Sequence, residues 1–77
     1  FMDMKDRIRI ARLRAGYEEY GGMARVCRDS GVNQNTWWCW ENGRYEPGAE
    51  NLAVIAEVTG CDLMWLITGK RRKEKKE

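Results

Sequence analysis

The sequence contains no histidine, and its three cysteines include no Cys-x-x-Cys pair. Those two absences argue against zinc, whose sites are built from thiolate and imidazole at close spacing. They also weaken the case for catalysis, because histidine is the commonest general base. Ser30 has no plausible base, and no paired carboxylates stand near an apolar pocket. The Glu18-Glu19 pair falls in a loop beside tyrosines and reads as solvated. A non-enzymatic role without a cofactor is therefore expected, and nothing suggests a small-molecule ligand. No apolar run approaches the roughly 20 residues of a membrane span. An odd cysteine count with no secretory signal gives the expectation of a reducing cytoplasm. There is no internal repeat, and 77 residues make one domain near the small end for an independent core.

What is present is charge, unevenly placed. The formal net charge is +2. Residues 1–44 hold eight basic and six acidic side chains, whereas residues 45–69 hold Glu46, Glu50, Glu57 and Asp62 with no basic residue. Residues 70–77 hold six basic and two acidic residues. A mildly positive front, an acidic back and a basic tail suit a polyanion binder that uses one side. Ordinary surface charge is the alternative. The division expected is a domain over 1–69 and a basic, charged tail or linker over 70–77.

Apolar spacing predicts five helices and no strands. The first covers about 4–15, with Met4, Ile8, Ala11 and Ala15 on one face, Asp3 as N-cap and Gly16 as stop. The second covers about 23–30, with Met23, Val26, Cys27 and Ser30 sharing a face, and Cys27 expected in the core. The third covers about 34–41, with Trp37 and Trp40 inward. The fourth covers about 49–59, with Leu52, Ile55, Ala56 and Thr59 on one face, and the fifth about 62–68.

The run from Gly31 to Gly43 is the most informative segment. Gly31 can end one helix in the left-handed conformation, Asn33 can cap the next, and Asn42-Gly43 offers a stop. A short helix, a glycine turn and a second short helix is the sequence shape of a helix-turn-helix. In that motif the second helix enters the DNA major groove with its N-terminal residues at base edges. Gln34 and Asn35 stand there, and both are amides able to read adenine bidentately. Two solvated polar residues in a first helical turn are the alternative. Trp38 lies about 100° around the helix from Trp37 and so should face outward. Its indole could meet DNA or a protein partner.

Gly31-Val32-Asn33-Gln34, Trp40-Glu41-Asn42-Gly43, Pro47, Leu52, Ile55-Ala56 and Trp65-Leu66-Ile67-Thr68-Gly69 form an ordered set. With Ala11-Arg12 and Ala15-Gly16-Tyr17, they resemble the helix-turn-helix domain of lambdoid phage Cro and repressor proteins and their bacterial relatives, over about residues 5–69. The resemblance implies an all-α, compact five-helix domain of the lambda-repressor type. It implies base contact by Gln34, Asn35 and Cys39 and phosphate contact by Asn42. Trp38, standing where the family usually carries a small or polar residue, is a further base-contact candidate. Arg44 in the loop after Asn42 is a phosphate-contact candidate, as is Thr36, whose alternative is a hydrogen bond to its own helix. It also implies a bracing pair between Arg12 and Glu41, with Arg14 as the alternative arginine. Arg25 and Arg28 fall on the helix that crosses the DNA backbone in this motif, with a solvated face as the alternative.

Two positions depart from the family. Met23 replaces the glutamine that opens the second helix, so only its backbone N–H could reach a phosphate. The segment from Gly16 to Met23 is also longer by about four residues, which makes Tyr20 or the Gly21-Gly22 amides substitutes for that contact. The function implied is sequence-specific binding of double-stranded DNA to regulate transcription, as a phage or prophage-type repressor. A homodimer on a pseudo-palindromic operator is implied too, with Thr59 to Leu63 and the start of the fifth helix as the interface, near Cys61. The runner-up is a protein-interaction module on the same scaffold, antitoxin-like or adaptor, using Trp38 and Met23.

Overall fold

The computed structural model describes residues 2–70. Five helices follow in order: α1 (Met4–Arg14), α2 (Gly22–Ser30), α3 (Gln34–Glu41), α4 (Ala49–Thr59) and α5 (Leu63–Thr68), with no strand among the described residues. The all-α, five-helix expectation holds. Apart from Lys70, the basic tail expected over 70–77 lies outside the described residues.

α1 is the central element and packs against each of the other four helices. Its first turn is tied by Asp6, whose carboxylate accepts the Asp3 backbone N–H at 3.1 Å. That bond holds the Asp6 carboxyl below the usual range. Ile8 and Ala11 lie in the core, whereas Ala15 falls just past the helix and is exposed. The apolar face thus ends one turn earlier than its spacing predicts, because Gly16 turns the chain away with φ +96°.

The core gathers Ile8, Val26, Cys27, Trp37, Trp40, Leu52, Ile55 and Leu66. Trp37 and Trp40 stack at a tilt, ring centroids 5.5 Å apart. Burying an indole contributes about 4–6 kcal/mol of gross transfer free energy before ordering costs are subtracted. These two side chains therefore anchor α3 to the domain. α3 packs against α1 and α2, which leaves its other side uncovered.

Candidate nucleic-acid interface

The turn into α3 is fixed by four local bonds. Gly31 sits at φ +80°, and its N–H donates to the Cys27 carbonyl at 2.8 Å, ending α2. Ser30 Oγ accepts the Val32 N–H at 3.3 Å. Asn33 is extended, and its Oδ1 accepts the N–H groups of Asn35 at 2.7 Å and Thr36 at 3.4 Å. This is the capping geometry its position predicts, and losing such a cap costs about 1 kcal/mol.

Behind α3 lies a buried ionic cluster. Arg12 meets Glu41 through Nε–Oε2 at 2.6 Å and Nη2–Oε1 at 3.0 Å. Both side chains are almost fully buried. Trp37 Nε1 also donates to Glu41 Oε2, at 2.6 Å. Arg12 Nη1 donates to the carbonyls of Tyr17 and Glu18, each at 3.0 Å. Hydrogen bonding to Glu41 raises the Arg12 pKa further, so the guanidinium stays charged despite burial. The planar fork matches the carboxylate at two points, which lysine could not do. Arg14, the alternative partner, is exposed and lies 5.9 Å over the Trp65 ring instead. The cluster fixes the last turn of α3 to α1 and ties down the lengthened loop as well.

In front, Gln34 and Asn35 are exposed. Among the described residues, neither side-chain amide has a hydrogen-bond partner. Trp38 is 44% exposed. Thr36 is half-buried at the edge. Cys39, expected on the exposed face, is half-buried as well. At about 100° per residue Cys39 points as far from the buried Trp37–Trp40 side as Trp38 does, so its half-burial comes from a short side chain among larger neighbours rather than from its direction. Asn42 is exposed, but its Nδ2 donates to the Trp38 carbonyl at 2.8 Å, which leaves its second amide hydrogen for an outside acceptor. Gly43 then takes φ +74°, and the Arg44 N–H donates to the Cys39 carbonyl at 2.9 Å. The chain folds back, placing the Arg44 guanidinium 5.5 Å over the Trp38 ring.

The start of α2 differs from its sequence reading by one residue: Gly22, not Met23, is first. Gly22 is buried, and a Cβ there would fall 2.4 Å from the Tyr17 carbonyl carbon, so only glycine fits. Met23 is half-buried against the core, which leaves its backbone N–H as the group at the helix start. Tyr20 stands 92% exposed beside it. The loop below is held by charged contacts. Tyr17 Oη donates to Asp29 Oδ2 at 2.6 Å, which raises the phenol pKa. Arg25 donates to Glu18 at 2.9 Å and lies 5.2 Å over the Tyr17 ring. Arg9 pairs with Glu19. Arg25 is thus committed inside the molecule, while Arg28 is largely exposed, 3.7 Å from Asp29.

One buried arginine escaped the sequence reading. Arg7 Nε and Nη2 donate to the Leu66 and Ile67 carbonyls at 2.9 and 3.1 Å, and Nη1 donates to the Met2 carbonyl at 2.7 Å. It closes the end of α5 rather than touching the α3 surface. The three cysteines are unpaired; Cys27 is in the core, where burial pushes its thiol pKa up, and Cys61 is half-buried.

The chain is 40% identical over 58 residues to an uncharacterized HTH-type transcriptional regulator of Haemophilus influenzae. That match takes in 75% of this chain, which spans about a quarter (24%) of the relative's length. No family model matches the chain, and no solved structure matches it.

Proposed function

We propose that this domain binds double-stranded DNA sequence-specifically and regulates transcription as a lambdoid repressor-type helix-turn-helix. The observation that carries this reading is the contrast across α3. Gln34 and Asn35 present free amides on an uncovered first turn, while Arg12, Glu41 and Trp37 hold the helix from behind. The similarity to a relative named as an HTH-type transcriptional regulator supports the same class. α3 lies in the major groove, with Gln34, Asn35 and Trp38 at base edges and Cys39 at the margin. Thr36, Asn42, Arg44 and the Met23 N–H meet phosphates. The protein acts as a phage- or prophage-type repressor in the cytoplasm. It binds as a homodimer to half-sites about one helical turn apart. Exposed Leu63, Met64 and Ile67 on α5 support self-association there.

Selection of bound sites from a random duplex pool, followed by affinity measurement, tests this. The selected duplex should bind about 10³-fold or more tighter than random sequence. Affinity for both should fall steeply with salt. Binding that ignores salt and shows no preferred sequence overturns the reading, and stoichiometric capture of a protein partner through Trp38 would replace it with an interaction module.

A further inference from the structure

Most cations of the described residues are already committed. Lys5, Arg9, Arg25 and Arg28 face surface carboxylates, Arg12 faces Glu41, and Arg7 bonds backbone carbonyls. Arg14 and Arg44 have no carboxylate partner among the described residues and rest on rings instead, Arg14 on Trp65 of α5 and Arg44 on Trp38, which places only Arg44 of the two at the α3 surface. A ring face orients a guanidinium without neutralising it, because the attraction is to the quadrupole rather than to an opposite charge. The turn below is fixed by the Asn42 and Arg44 bonds to the Trp38 and Cys39 carbonyls. The cation therefore stands beside the uncovered face of α3 with its hydrogen-bond donors open to solvent.

We infer that Trp38 is a positioning residue for a phosphate contact: its indole presents Arg44 to the DNA backbone, so that reading and anchoring depend on one another. This rests on the DNA-binding reading above. The indole thereby does more than meet a base. It reduces the number of arrangements Arg44 explores before binding, and preorganisation of this kind strengthens association without a new contact.

The test measures affinity for a random-sequence duplex between 50 and 200 mM salt, using wild type, Arg44→Ala, Trp38→Ala, Trp38→Phe and the Trp38→Ala/Arg44→Ala double variant. One phosphate contact adds about 0.9 to the salt slope, so wild type should lose about 3.5-fold more affinity than Arg44→Ala over that range. Trp38→Ala should flatten the slope nearly as much as Arg44→Ala. The double variant should bind within twofold of Arg44→Ala, and Trp38→Phe should recover most of the wild-type slope by restoring a ring face. A wild-type slope in Trp38→Ala, or losses that multiply in the double variant, overturns the pairing and leaves DNA binding intact. A wild type that binds no duplex removes the DNA-binding reading and this inference together.

Discussion

The two sides of α3 are made of opposite materials. The back is two indoles and a buried ion pair, with the identified polar groups matched to one another. The front is amides and one half-exposed indole, with the amides of Gln34 and Asn35 matched to nothing among the described residues. The difference separates two kinds of constraint. The back decides whether the helix is held in place, and the front decides what it can meet. Substitutions should therefore divide sharply, with stability changing at the back and recognition at the front.

The largest effect is expected at the ion pair. Arg12→Ala leaves Glu41 buried with only Trp37 as its hydrogen-bond donor, and should destabilise the domain by about 3–5 kcal/mol in urea unfolding. A loss below 1 kcal/mol would mean that the pair is solvated. Next comes Arg7→Ala, which strips the last α5 carbonyls of a charged donor; a loss of about 1.5–3 kcal/mol is expected. That variant should leave DNA preference unchanged, since Arg7 lies away from α3. At the front, Gln34→Ala or Asn35→Ala should move unfolding stability by no more than about 0.5 kcal/mol. The same change should relax base preference at one operator position by about 1–3 kcal/mol.

The smallest expected effect is that of neutral pH. With no histidine, stability should stay nearly flat from about pH 5 to 8. Asp6 and Glu18 have lowered folded pKa values. Asp6 accepts the Asp3 backbone N–H, while Glu18 bonds its own backbone N–H and then Arg25. The stability they contribute is present above the usual carboxylate range and is lost as pH falls through the folded values. Cys27, raised by burial, and Tyr17, raised by its bond to Asp29, act in the opposite direction. Their contribution is present below about pH 8.5 for the thiol and about pH 10 for the phenol, and is lost as pH rises through the folded values. Circular dichroism melts across pH 3–11 should give a plateau with two falling edges; a step near pH 6.5 would contradict the assignment.

The sequence was most legible where a residue acts on its own neighbours. Asn33 caps the helix beginning one residue later, Gly31 ends the helix just before it, and the inward indoles recur at i and i+3. The Arg12–Glu41 pair spans 29 residues and was visible only through family resemblance, because spacing alone cannot join two helices. Arg7 was not visible at all. Its partners are backbone carbonyls 59 and 60 residues away, and a carbonyl has no residue type to recognise. Cys39 was placed too far outward because a helical wheel assigns direction but not the depth of neighbouring side chains. Gly22 opens α2 where the chain passes close to the Tyr17 backbone, an approach that apolar spacing within the helix does not reveal.

The most direct test of the central claim is to follow the side-chain amide and indole N–H resonances by NMR while duplex bearing the selected site is added. The Gln34 and Asn35 amides and the Trp38 indole should shift and saturate together, while the Trp37 indole, bonded to Glu41 inside the protein, should stay nearly in place. Saturating shifts confined to α4 and α5, with Gln34, Asn35 and Trp38 unmoved, would contradict it.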